Sequence, residues 1–201
     1  MKSAVSETRK AGGIFIADEV QPGFARSGEA FWGFARHGIT PDIVTMGKPI
    51  GNGFPMAAMA TRPDLLDRFC DDVGYFNTFG GNPVAAAAGM AVLDVIADEG
   101  LQENALVTGR YLKEKLSDLA RSREQIGTVR GVGLFLGVDI VQDAKPSSAA
   151  TSDVINRLKE KGVLIGAAGR FASTLKLRPP LSLTRQEADI FVDAFDAVLA
   201  R

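Results

Sequence analysis

The chain has 201 residues, 46% of them hydrophobic and 23% charged, and its 23 Lys and Arg nearly balance 24 Asp and Glu. That length carries one large domain or two small ones, and a formal net charge of -1 gives no electrostatic reason to expect nucleic acid or an anionic membrane as partner. Cys70 is the sole cysteine and His37 the sole histidine, which excludes intrachain disulfides and CxxC metal sites and fits a reducing cytoplasm.

In chain order, MKSAVSETRK is too polar for a secretory signal, and residues 3–11 read as the end of a helix stopped by Gly12-Gly13. Residues 14–20 form a continuous apolar run, the pattern of a fully buried strand in a sheet covered on both faces. The Gly-rich loop 22–38 carries Phe24, Phe31, Trp32 and Phe34 and is expected to pack down. Strands follow over 42–46 and 55–61. Asn82 as N-cap, Pro83 at the first helical position and Gly100 bound one helix, and a second runs from about Leu101 to Arg121 with Leu112, Leu116 and Leu119 on one side. "RGVGLFLGVDIV" reads as one strand, 143–150 as a polar connection, and "SDVINRLKEKG" as a helix capped by Ser152. "VLIGAAG" and "STLKLRPPL" are short strands. The last helix opens with a capping box, Thr184 and Glu187, and its apolar face is Ile190, Phe191, Ala194, Phe195, Val198 and Leu199. No apolar run approaches the roughly 18 residues of a membrane span.

Three features carry chemistry. Asp18 and Glu19 end the first strand, the edge where ligands bind in open α/β sheets, and alternation puts Asp18 on the face of Ile16 and Val20 with Glu19 opposite. A buried carboxylate is costly unless a cation meets it. Lys48, between Gly47 and Pro49 at the end of the next strand, is aimed over the same edge; a lysine in a dry pocket is a nucleophile towards carbonyls. "FNTFGGNP" places the Thr78 hydroxyl and two glycines before a helix start, where free amides and the helix dipole favour phosphate. A cation site, a carbonyl site and a phosphate site together describe pyridoxal 5'-phosphate.

On "IADEVQPGFARSG", "PDIVTMGKPIGNGFPMAA", "FNTFGGNPVAAAAGMAVLDVI" and "RGVGLFLGVDIV", in that order, the chain resembles the class III (ω-type) aminotransferases of the fold-type I group. The resemblance implies a three-layer α/β/α fold on a mixed, mostly parallel sheet, followed by a small α+β domain. Residues 1–107 would be the C-terminal part of the cofactor-binding large domain, 108–126 a connecting helix and 127–201 the small domain. It implies that Asp18 pairs with the pyridine nitrogen, Val20 packs on the ring and Gln21 reaches the phenolic oxygen. Lys48 matches the Schiff-base lysine and proton shuttle. Thr78 would bind the cofactor phosphate from the neighbouring subunit of a homodimer. The substrates would be an amine or amino acid and an oxo acid, with no nucleic acid or membrane partner and a cytoplasmic location.

Two departures from the family pattern matter. Family chains are about twice as long, and residues 1–11 carry neither the glycine-rich phosphate loop nor the ring-stacking aromatic; the chain looks like the second half of such an enzyme. Many members also place a substrate-binding arginine three residues before a Pro-Pro pair. Here that position is Lys176, with Arg178 two residues on and hence on the same strand face. Two neighbouring cations suit a dianionic phosphate, as in the family's phospholyases of phosphorylated amino alcohols. The rival readings are therefore an aminotransferase, a phospholyase and a catalytically incomplete fragment.

Overall fold

The computed structural model describes residues 1–200, which divide into two units: Met1–Arg26 with Ala30–Leu101, and Ser27–Glu29 with the chain from Gln102 onward. In the first unit, helix α1 (Lys2–Lys10) ends where Gly12 turns to φ +77°. Strand β1 (Ile16–Asp18) pairs in parallel with β2 (Ile43–Met46), and β2 pairs antiparallel with β3 (Ala58–Thr61), giving a mixed sheet in the order β1-β2-β3. The register sets Ile16 opposite Ile43 and Asp18 opposite Thr45.

The buried strand expected over 14–20 is corrected here. β1 spans three residues, and Ile14 and Ile16 are 43% and 50% exposed while Ala17 is buried. β1 lies at a sheet edge with one face open, so its burial alternates as in a half-covered strand rather than a doubly covered one. Asp42, buried just before β2, accepts the Phe15 amide at 2.8 Å and pairs with Arg9 and Arg62 at 3.2 and 2.7 Å, tying α1, β1 and β2 to the residue before the next helix.

Helix α2 (Pro63–Asp72) has no counterpart among the expected elements, although Pro63 sits at its first turn. Helix α3 (Pro83–Asp98) starts as its sequence dictates: the Asn82 side chain accepts the Ala85 amide at 2.9 Å. The loop after β1 is packed through its aromatics, with Phe24, Phe31 and Trp32 ring centroids 4.8–5.3 Å apart.

In the second unit, helix α4 (Leu101–Ser122) lays Leu112 and Leu116 into the core. The segment expected as a connecting helix, 108–126, thus lies in α4 and the start of the first strand of this unit. The expected single strand over 130–141 is a hairpin: β4 (Ile126–Val132) turns at Gly133-Leu134 into β5 (Phe135–Gln142), with Val132 opposite Phe135. Gly133 takes φ +55°, and a Cβ on Gly109 of α4 would lie 2.2 Å from the Gly133 carbonyl carbon, so helix and turn touch backbone to backbone.

A short β6 (Lys145–Pro146) pairs with β5. Helix α5 (Ser148–Glu160) is capped by Ser147 rather than Ser152, since the Ser147 hydroxyl accepts the Ala150 amide. Strands β7 (Gly166–Ala168) and β8 (Thr174–Leu177) complete an antiparallel sheet in the order β4-β5-β8-β7. Helix α6 (Arg185–Leu199) carries the expected capping box and buries Phe195, Val198 and Leu199 against that sheet's core, but Ile190 is 59% exposed.

Candidate active site

The carboxyl ends of the parallel strands β1 and β2 bring together the first candidate residues. Strand pairing continues one step past β1, where the Glu19 amide donates to the Thr45 carbonyl at 2.9 Å. Past that bond, the Val20 side chain lies against Gly47: a Cβ at Gly47 would meet the two Val20 methyls at 3.5 and 3.6 Å, ordinary contact. Lys48 follows directly, at φ +41° in a 3-10 turn, Lys48–Ile50. A left-handed conformation costs a non-glycine residue about 1–3 kcal/mol, and such strain collects at functional sites. Asp18, Val20 and Lys48 therefore stand on one edge of one sheet, as the strand-end reading requires.

The burial of the acid pair is the reverse of the expectation. Asp18 and Lys48 are exposed, and the buried carboxylate is Glu19, 2% exposed. Alternation separates the two acids as expected, but the face carrying Asp18 is the open one. Asp18 Oδ1 accepts the Val20 amide at 3.0 Å, which bends the chain off the strand. Among the described residues no cation pairs with Asp18 and no carboxylate with Lys48. Glu19 needs no cation, because its two oxygens accept the Gly33 and Phe34 amides at 2.7 and 2.8 Å. Gln21 is exposed beside them.

Thr78 lies in the same unit, in an exposed loop that Asn77 shapes by accepting the Phe79 and Gly80 amides, four residues before the cap of α3. Lys176 and Arg178 lie in the second unit. Arg178 is the residue after β8, which ends at Leu177: Lys176 is exposed, and Arg178 folds over the Phe135 ring at 4.1 Å. Both still line one cavity of about 510 Å³, walled by Leu112, Leu164, Ile165 and Phe191. Arg178 Nε is buried with no acceptor among the described residues, and burial pushes its guanidinium pKa down.

An unpaired carboxylate and an unpaired amine on adjoining strand ends, with a hydroxyl and a capped helix start in the same unit, form a donor set that fits pyridoxal 5'-phosphate. The mixed α/β fold is that of the fold-type I transferases, to which its structural neighbours belong. The chain belongs to the class-III aminotransferases, whose family model matches residues 1–199, and the family implies pyridoxal phosphate.

It is 50% identical to Arabidopsis thaliana alanine–glyoxylate aminotransferase 2 homolog 2, mitochondrial, and 43% identical to human alanine–glyoxylate aminotransferase 2, mitochondrial. Each match covers 100% of this chain and 42% or 40% of the relative. A phospholyase from Arthrobacter, solved in complex with phosphoethanolamine, superposes with a TM-score of 0.95 at 42% identity over 99% of this chain and 48% of that one. The chain thus spans less than half the length of these relatives. The expected cytoplasmic location is overturned by relatives named mitochondrial; a lone thiol excludes an intrachain disulfide but does not distinguish one reducing compartment from another.

Proposed function

We propose that these residues serve pyridoxal-phosphate-dependent amino transfer from an amine or amino acid to an oxo acid. The observation that carries the reading is the shared sheet edge: Asp18 one step before the last β1–β2 bond, Val20 packed on Gly47, and Lys48 next in chain. Bound pyridoxal phosphate supplies an electron sink for the pair released at the substrate's amine-bearing carbon.

Asp18, with no competing cation, holds a proton on a ring nitrogen through its charge. Val20 offers its methyls to one ring face and Gln21 a hydrogen bond to the phenolic oxygen. Lys48 is the amine that holds the cofactor aldehyde carbon and, once displaced, moves a proton at the substrate carbon. Thr78 reaches a phosphate of the neighbouring subunit. The exposure of Tyr75, Phe76 and Phe79 around it, 70%, 87% and 80%, supports a homodimer formed over this loop.

The test is to mix the 201-residue chain with pyridoxal phosphate, trap the adduct with borohydride and map it by mass spectrometry. Before reduction the mixture is expected to show a visible absorbance band; after reduction the stable label sits on Lys48, and both band and label are lost in Lys48→Ala. A chain that takes up no chromophore would be a folding or dimerising piece without chemistry of its own.

A second reading, phospholysis of a phosphorylated amino alcohol, is favoured by one observation. Lys176 and Arg178 line the same cavity, and Arg178 Nε has no acceptor; paired cations suit a dianion. The phosphoethanolamine-bound Arthrobacter relative supports the same direction. Release of inorganic phosphate without any amino acceptor would select this reading, and formation of an oxo product with no phosphate would select the first.

A further inference from the structure

We infer that Glu19 is the positioning residue of this site, a role that rests on the cofactor reading above: its carboxylate, bonded to the Gly33 and Phe34 amides, fixes the backbone on which Asp18 and Val20 stand. Glu19 uses every polar group it has. Its amide donates to Thr45 of β2 at 2.9 Å, its carbonyl accepts the Gly23 amide at 3.2 Å, and its two side-chain oxygens take the two loop amides at 2.7 and 2.8 Å. A buried carboxylate is tolerated only when its oxygens are met in this way.

The approach is built for glycine at position 33. A Cβ there would lie 3.2 Å from both Glu19 oxygens and 2.8 Å from the Pro22 Cβ. The loop that Glu19 closes contains Phe24 and Ala25 at φ +57° and +65°, conformations that persist only when the surroundings over-determine them. Its aromatic cluster packs on the same clamp, since a Cβ at Gly23 would touch the Trp32 ring at 3.0 Å. Released at residue 33, this strained loop would pull on residues 19–23 and thus on the Val20–Gly47 contact beside Lys48. A neutral amide at position 19 offers one acceptor oxygen where two are needed.

The experiment compares wild type, Glu19→Gln and Glu19→Ala, with Thr184→Ala in the second unit as a control of lowered stability away from the site. Three quantities are read: amide exchange at Gly33 and Phe34, pyridoxal phosphate affinity from the absorbance titration, and the thermal midpoint. Glu19→Gln is expected to exchange faster at both amides, to keep a cooperative transition, and to bind pyridoxal phosphate about ten- to a hundredfold more weakly, the loss of one charge-assisted bond. At saturating cofactor the label still falls on Lys48. Unchanged affinity in Glu19→Gln, or a loss no larger than that of Thr184→Ala at equal thermal midpoint, overturns the positioning role alone. A wild-type chain that takes up no pyridoxal phosphate overturns the cofactor reading itself, and this role with it.

Discussion

Asp42 shows at the scale of a single residue how a buried charge is made tolerable. The Phe15 amide is the largest influence on its carboxyl, and together with Arg9 and Arg62 it outweighs desolvation and holds the pKa below the usual carboxylate range. A pKa lowered in the folded state contributes stability that is whole above the unfolded value of about 3.9 and is lost as pH falls through the folded value. Unfolding measured across the acid range should therefore show wild type losing stability below about pH 4, with a flatter profile in Asp42→Asn. At neutral pH the same variant should be less stable by about 1.5–3 kcal/mol, the scale of hydrogen bonds to a charged group. Chemical denaturation at pH 7 and pH 3 checks both signs. None of this was legible in the sequence, because Arg9 and Arg62 stand 33 and 20 residues from Asp42. The duty of Glu19 was hidden for the same reason, its partners lying 14 and 15 residues on. The place of Asp18 and Lys48 at strand ends was legible because each follows an apolar run with local punctuation.

Among the elements, boundaries written in local chemistry could be read, and those set by tertiary packing could not. Asn82-Pro83 and the Thr184/Glu187 box each satisfy orphan amides within four residues, so α3 and α6 start where their sequences say. Thr184→Ala removes the hydroxyl that accepts the Glu187 amide at 3.2 Å and should cost about 1 kcal/mol in thermal unfolding of the second unit. The β4–β5 hairpin was hidden because its turn is Gly133-Leu134, and Leu134 is fully buried. An apolar turn residue makes two strands read as one run, where Asn-Gly would have separated them. That turn also explains a glycine inside a helix. Gly109 lets α4 rest on the Gly133 backbone, and a methyl there has only backbone to displace. Gly109→Ala, a substitution that improves helix propensity, is nonetheless expected to destabilise by about 1–3 kcal/mol through overpacking. A midpoint equal to or above wild type in denaturant would contradict that contact.

At the scale of the whole molecule, the distribution of apolar surface sets the association state. In the first unit Ile14, Ile16 and Met59 are 43%, 50% and 57% exposed on or beside the three-stranded sheet, and Tyr75, Phe76, Phe79 and Val84 are 70%, 87%, 80% and 65% exposed around the start of α3. A monomer in water leaves single apolar residues exposed without consequence, but groups of large aromatics mark surfaces that become covered. The second unit gathers most of its large apolar residues into one core between α4, α5, α6 and the antiparallel sheet, and its exposed ones, Leu164, Phe171 and Ile190, are fewer than those of the first unit. Self-association is therefore expected to arise in the first unit. Light scattering of the purified chain should report a dimer or larger species whose mass falls with dilution. Phe76→Asp with Phe79→Asp places two charges where an apolar contact would form, and should shift the species towards monomer and remove the dependence of the thermal midpoint on protein concentration, while the fold of the single chain, in which both side chains are already in solvent, is kept. Phe195→Ala, which empties the core of the second unit, makes the opposite prediction: about 3–5 kcal/mol of lost stability with no change in association. A monodisperse monomer at high concentration in the unsubstituted chain would remove the aromatic loop as an interface, and with it the reason for placing Thr78 at a neighbouring subunit's cofactor.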